Sequence, residues 1–150
     1  MASMKEEIHI YTDGGSRGNP GPAAIGVVIL DKNKKTIKEF GEYLGEKTNN
    51  FAEYSALVSA LKKAKQILGK EKVSQTKINV FMDSELVVKQ FLGQYKIQDP
   101  ELQKLFIEVW NLKTDFGEIN FNHIPREKNK RADELVNEAL DTELRSQKLF

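Results

Sequence analysis

The spacing of apolar residues along the chain changes between every second position and every third or fourth position, which predicts an alternation of strands and helices. Residues 8–11 alternate between apolar and polar side chains, residues 25–30 are rich in β-branched residues, and residues 37–44 follow a polar turn. Strand spacing returns at residues 78–82 and 118–124. Five strands are therefore predicted, three of them in succession.

Apolar residues at helical spacing predict four helices between and after these strands. The first begins beside Thr48 and Asn50, either of which can cap it, and Gly69 is predicted to end it. The pair Asp99-Pro100 is typical of a helix start. The other three helices are predicted over residues 84–92, 100–109 and 132–140.

The resulting order of elements, βββαβααβα, predicts an α/β fold with a mixed five-stranded sheet flanked by helices and antiparallel early strands. No repeat or flexible linker divides the sequence, so its 150 residues are interpreted as a single domain. A second methionine, Met4, indicates that residues 1–3 are left over from expression. Residues 141–150 are interpreted as the end of the last helix or as a tail.

The composition limits the kinds of binding site and catalytic chemistry that the chain can have. Lys and Arg number 23 against 22 Asp and Glu, so the net charge of +1 gives no reason by itself to expect a polyanionic partner. The sequence has no cysteine, which excludes disulfides, thiolate zinc sites and thiol nucleophiles. Its longest apolar run is too short to span a bilayer. We therefore expect a cytoplasmic monomer with no membrane segment and no small-molecule cofactor.

Four carboxylates fall at strand ends and at the margins of helix stripes. Asp13 and Asp83 follow the first and fourth strands, and they become neighbours if these strands pair in parallel. Glu53 and Asp133 lie at the border of the apolar face of their helices. Each acid alone can be a turn residue, a partner of a helix dipole or a surface charge. Four converging carboxylates, however, repel one another unless a cation compensates.

A divalent metal ion is the economical explanation for such a cluster. Oxygen ligands alone favour Mg²⁺, with Mn²⁺ as a substitute, over zinc. Two such ions, about 3.5–4 Å apart, can hold the attacking water and the leaving oxygen of a phosphodiester. The predicted reaction class is therefore phosphoryl transfer to water.

Four motifs surround these acids: TDGGSRGNPGP at residues 12–22, TNNFAE at 48–53, DS at 83–84 and RADEL at 131–135. In this order and spacing they resemble type 1 ribonuclease H over nearly the whole chain. The resemblance implies the ribonuclease H fold and endonucleolytic hydrolysis of the RNA strand of RNA/DNA hybrids, leaving 5′-phosphate and 3′-hydroxyl ends. It also implies that the metal ions are bound by Asp13, Glu53, Asp83 and Asp133.

Two amide side chains within the second motif suit the recognition of RNA. Telling RNA from DNA requires hydrogen bonds to the 2′-hydroxyl across a wide minor groove, and Asn49 and Asn50 can both donate and accept. Helix capping is their alternative role. The resemblance adds minor-groove contacts from Gly15, Ser16 and Asn19, and a contact with a DNA-strand phosphate from Thr48.

Two features depart from many members of that family. Only residues 93–99 separate the second and third helices, so the basic helical handle of those members is predicted to be absent. His123 lies ten residues before Asp133, at the spacing of a family loop histidine thought to assist proton transfer or product release. In the alternative alignment His123 belongs to the last strand, and Arg126 is the cation nearest the scissile phosphate.

Two other functions fit part of this pattern. A DNA nuclease of related fold would use the same acids, although residues 48–50 favour an RNA-containing substrate. A non-catalytic module that binds hybrid or double-stranded RNA predicts a neutral residue at one of the four acidic positions, and all four acids are present.

Overall fold

The computed structural model describes residues 6–149 and confirms the predicted fold class and order of elements. Residues 1–3, interpreted above as left over from expression, lie outside the described residues. A single 3₁₀ turn, Arg126–Lys128, precedes the last helix and is absent from the sequence prediction. The elements are β1 (Glu6–Ser16), β2 (Gly21–Asp31), β3 (Thr36–Lys47), α1 (Asn49–Val73), β4 (Thr76–Met82), α2 (Glu85–Phe91), α3 (Pro100–Lys113), β5 (Glu118–His123) and α4 (Lys130–Lys148).

The five strands form one sheet in the order β3-β2-β1-β4-β5. β1 pairs antiparallel with β2 and parallel with β4, which confirms the pairing on which the convergence of Asp13 and Asp83 depends. The parallel register ends where Tyr11 faces Phe81, whereas β1 continues to Ser16 against β2. Asp13 is therefore not a turn residue. It lies inside an antiparallel ladder opposite Gly26, just beyond the last residue paired with β4.

Helices cover both faces of the sheet because β1 and β2 carry apolar side chains on both faces. Ile8 and Ile10 face a large core that contains Tyr54, Leu57 and Leu61 of α1. Smaller apolar clusters join the opposite face of β1 and β2 to α4. Each large apolar side chain buried in this way stabilises the fold by about 1.5–3 kcal/mol.

The prediction that Gly69 ends α1 is wrong. Gly69 has a left-handed backbone (φ 78°) that interrupts α1, but the helix resumes and ends at Val73. Val73 is buried in the main core, which gives the last turn an apolar anchor beyond the glycine. In the C-terminal segment, residues 141–148 continue α4, which agrees with the first of the two interpretations, the end of the last helix.

Candidate active site

The four acidic side chains singled out in the sequence line one cleft of about 380 Å³ at the edge of the sheet. Asp13 comes from β1, and Asp83 directly follows the last residue of β4. Glu53 lies one turn into α1 and Asp133 lies in the first turn of α4, and these helices pack on opposite faces of the sheet. The topology therefore brings together four carboxylates that are far apart in the sequence.

Two glycines set how closely the helices approach the strands at this point. A Cβ atom on Gly14 would lie 2.3 Å from the carbonyl carbon of Ala52, and one on Gly26 would lie 2.1 Å from the carbonyl oxygen of Ala132. Those helix residues immediately precede Glu53 and Asp133. The missing side chains therefore allow both helix backbones to carry their carboxylates to the edge where Asp13 lies.

Burial and mutual repulsion raise the pKa of two of the carboxyl groups. Burial, followed by the charges of Asp83 and Asp133, raises the pKa of Asp13 to about 8. Burial and the charge of Asp83 raise the pKa of Glu53 to about 7, although a hydrogen bond from Ser84 acts in the opposite direction. Both groups therefore hold protons near neutral pH unless a cation stabilises their charged forms.

The donor set fits a hard divalent cation. All four side chains offer carboxylate oxygens, and Oε2 of Glu53 is buried without a hydrogen-bond partner. Within residues 6–149 no three acidic or histidine side chains are close enough together to form a preorganised metal site. A bound cation would offset the repulsion among these carboxylates.

Asn129 is a site residue that the sequence analysis does not single out. Its Nδ2 donates to the backbone oxygen of Thr12 at 2.9 Å and to Oδ2 of Asp83 at 3.3 Å. The side chain is 1% exposed and immediately precedes α4. It therefore ties the ends of β1 and β4 to the helix that carries Asp133. In the sequence it is only one more polar residue of a loop.

The residues predicted to contact substrate surround the first turn of α1. Gly15, Ser16 and Asn49 line the cleft. Oδ1 of Asn49 accepts a hydrogen bond from the backbone N–H of Ser16 at 2.7 Å, and its own N–H donates to Oδ1 of Asn19 at 3.1 Å. Asn49 thus joins the β1–β2 loop to the helix.

Thr48 caps the same helix, which resolves the choice between the two predicted caps. Its hydroxyl accepts the N–H of Phe51 at 3.2 Å, whereas Asn50 lies one residue inside α1. The capping bond occupies Oγ1 of Thr48 as an acceptor and leaves the hydroxyl proton available as a donor.

The two cations considered for the active site occupy different positions. His123 is the last residue of β5, opposite Met82, and is not among the residues that line the cleft. Arg126 does line the cleft, and its Nη2 lies 3.9 Å from Oδ1 of Asp133. The structure therefore follows the alignment in which the histidine belongs to the strand and Arg126 approaches the acids.

A sheet of this strand order, with acids from β1, α1, β4 and α4 at one edge, has the ribonuclease H-like architecture. The family model described as "Reverse transcriptase-like" matches residues 11–139. The crystal structure of LC11-RNase H1 in complex with an RNA/DNA hybrid matches with a TM-score of 0.87 and 51% sequence identity, over 91% of this chain and 99% of that chain.

Curated relatives agree with this match. Ribonuclease HI of Halobacterium salinarum is 42% identical over 134 residues, which are 89% of this chain and 64% of that protein. A bifunctional protein of Mycobacterium tuberculosis is 40% identical over 93% of this chain, which spans 37% of its length. The chain thus spans less than two thirds of these two curated relatives. It belongs to the ribonuclease H1 family, as the sequence motifs predict.

Proposed function

We propose that this chain is an endonuclease that hydrolyses the RNA strand of RNA/DNA hybrids and leaves 5′-phosphate and 3′-hydroxyl ends. The observation that carries the proposal is the convergence of Asp13, Glu53, Asp83 and Asp133 in one cleft of a ribonuclease H1 family fold. The hybrid bound to the related LC11 enzyme supports the choice of substrate.

The four carboxylates would hold two Mg²⁺ ions, with Mn²⁺ as a substitute. Bound divalent ions supply an activated water and neutralise the charge that develops on the phosphate. The chain's own residues orient this centre: Asn129 fixes the Asp83 carboxylate, and the Ser84 hydrogen bond favours the ionised form of Glu53. Arg126, which is 83% exposed, is free to move toward the scissile phosphate.

Discrimination for RNA would come from the groups around the start of α1. Gly15, Ser16 and Asn19 offer backbone and side-chain groups to the minor groove, and Asn49 and Asn50 add amides that can recognise a 2′-hydroxyl. Oδ1 of Asn49 is already bonded to Ser16, so its Nδ2 is the group that we expect to reach the ribose. Thr48 would meet a phosphate of the DNA strand.

The expectations for the handle, the oligomeric state and the location of the protein stay predictions. Residues 92–99 connect α2 to α3 without a helix, which supports the expected absence of a basic handle. Among residues 6–149 no helix is long and apolar enough to cross a membrane. We propose that the protein acts as a monomer in the cytoplasm.

The proposal is tested by incubating the protein with labelled RNA/DNA hybrid, duplex DNA, duplex RNA and single strands in Mg²⁺, Mn²⁺ or chelator. We expect cleavage of the hybrid RNA strand only, and only with a divalent ion. Cleavage of duplex DNA would favour a DNA nuclease of related fold. Hybrid binding without cleavage in either metal would favour a non-catalytic module.

Asp13→Asn is the sharpest variant for the role of the carboxylates. The substitution preserves side-chain shape but removes a charge from the centre of the cluster, so we expect turnover to fall at least about 100-fold while hybrid binding is retained. Turnover and binding are measured on the same hybrid by single-turnover kinetics and fluorescence anisotropy. Wild-type turnover in this variant would contradict the assigned role.

A further inference from the structure

A second guanidinium group lines the acidic cleft, and the proposed hydrolysis gives it no role. Arg17 lies in the loop between β1 and β2. Its Nη2 lies 2.8 Å from Oδ1 of Asp141 and 3.4 Å from Oδ1 of Asn137, both on α4. The Arg17 side chain is 40% exposed and the Asp141 side chain is 55% exposed. The ion pair therefore stays in contact with solvent.

The position of this pair relative to the acids is set by α4. Asn137 and Asp141 are one and two turns beyond Asp133, which places them about 6 and 12 Å further along the helix. The cleft continues in the same direction, since Asn137 and Leu140 line it as well as Asp133. A nucleic-acid strand with one phosphate at the acids would present its phosphates a few nucleotides away beside Arg17, at about 3.4 Å of rise per nucleotide.

We propose that Arg17 binds a backbone phosphate of the nucleic-acid strand that occupies the cleft, and that Asp141 holds its guanidinium in place until that phosphate replaces the carboxylate. This inference rests on the proposed function, because it names one more contact of the same substrate. A guanidinium presents paired N–H donors whose geometry suits carboxylate and phosphate alike. Asp141 thus occupies the position that a phosphate oxygen would take.

The exchange is energetically feasible because the pair that must break is exposed. Solvent-exposed ion pairs contribute little to stability, since water and salt screen them. The loop itself does not depend on the Arg17 side chain. It is closed by the backbone hydrogen bond from Arg17 to Pro22 at 2.8 Å and by the hydrogen bonds to Asn49. Arg17 can therefore change partner without unfolding the loop.

The test compares KM and kcat for hybrid hydrolysis in Arg17→Ala, Arg17→Lys and Asp141→Asn. We expect Arg17→Ala to raise KM about tenfold, because a charge-assisted hydrogen bond to the substrate is lost. The value of kcat should stay the same. Arg17→Lys keeps the charge but not the fork and should recover part of the loss. Asp141→Asn removes a competing anion and should lower KM about two- to threefold.

A salt titration supplies a second readout that loop disorder would not produce. Losing one phosphate contact should reduce the slope of log KM against log salt by about one unit in Arg17→Ala. Lys35→Ala is the matched control, because it removes one positive charge from the exposed β2–β3 turn, at the far end of β1 from the acids. That variant should keep the wild-type slope.

Three results would overturn the inference. A rise of KM in both Arg17→Ala and Asp141→Asn would mean that the ion pair only organises the loop. An unchanged salt slope in Arg17→Ala would exclude a phosphate contact, as would a KM equal to that of Lys35→Ala. In each case hybrid hydrolysis by the wild type leaves the proposed function intact, whereas a wild type that cleaves no hybrid contradicts the function itself.

Discussion

At the scale of single residues, the site is organised by side chains that bind other protein groups. Asn129 is the clearest case, because one buried amide reaches both the backbone of β1 and the carboxylate of Asp83. Its Oδ1 is buried without a hydrogen-bond partner, so the amide is held by its donors alone. If Asp83 binds metal as proposed, Asn129 would orient this ligand and set where its lone pairs point.

Replacing Asn129 with alanine should weaken metal binding more than it weakens the fold. The Asp83 carboxylate would lose its anchoring donor, and we expect Mg²⁺ affinity to fall about 10- to 100-fold, as is typical when the partner of a metal ligand is removed. Isothermal titration calorimetry of the variant measures this change directly. Asn111→Ala is the control, since Asn111 is an exposed asparagine on α3. Equal Mg²⁺ affinities in both variants would refute the positioning role.

At the scale of elements, the cleft depends on how closely α1 and α4 approach the sheet. The parallel pairing of β1 with β4 is favoured by the rules of connection but was left open by the sequence, whereas the helix stripes could be predicted from hydrophobic spacing. The extension of β1 beyond Asp13 could not, since two consecutive glycines are more typical of turns than of strands. Gly14 lies in a strand paired with β2, and only glycine fits at this position under the backbone of Ala52.

Gly14→Ala should therefore have two effects: it should destabilise the protein and displace Glu53. The added Cβ would overlap the Ala52 carbonyl, which belongs to a helix backbone and cannot rotate away. We expect the free energy of unfolding to fall by about 1–3 kcal/mol, as in other overpacked cores, and hydrolysis to fall with it. Urea denaturation gives the first quantity.

The neighbouring glycine supplies the control for this effect. A Cβ on Gly15 would meet nothing closer than Cγ1 of Val136 at 3.8 Å, which is ordinary van der Waals contact. Gly15→Ala should therefore unfold at nearly the same urea concentration as the wild type. If both variants unfold alike, the close approach of α1 to β1 does not limit stability.

Side-chain contacts between residues far apart in the sequence were the hardest feature to predict from the sequence. Arg17 and Asp141 are each unremarkable surface residues in sequence, and only the packing of α4 across β1 and β2 brings them together. The four acids were accessible because strand ends and stripe margins can be recognised locally. The location of His123 in β5 was left open by the sequence, since both alignments satisfied the same spacing.

At the scale of the whole molecule, the acidic cleft should make stability depend on pH, and also on metal if the acids bind it as proposed. Asp13 has a pKa raised from 3.8 to about 8, and Glu53 has one raised from 4.5 to about 7. Well below pH 3.8 both groups are protonated in the folded and the unfolded chain, so the pH dependence from them vanishes there. Between the unfolded and the folded pKa of each group, the folded chain keeps a proton that the unfolded chain releases. The free energy of unfolding therefore falls as pH rises through this range.

A cation should reverse this loss, because it stabilises the ionised carboxylates that repel one another in its absence. We expect the Tm of the metal-free protein to fall by several degrees between pH 5 and pH 8.5, since about 1 kcal/mol corresponds to about 2–4 °C in a domain of this size. Saturating Mg²⁺ should then raise Tm more at pH 8.5 than at pH 5. Calorimetric scans with chelator and with Mg²⁺ measure both effects.

The Asp13→Asn variant distinguishes the contribution of the cleft to the pH dependence of Tm from the contribution of all other titrating groups. The variant cannot ionise at the position with the most strongly raised carboxyl pKa, and it removes one source of repulsion on its neighbours. Its metal-free Tm should therefore fall less with pH than that of the wild type, and Mg²⁺ should stabilise it less at pH 8.5. If the two proteins lose stability in parallel, the pH dependence arises outside the cleft and the repulsion among the acids is already relieved without metal.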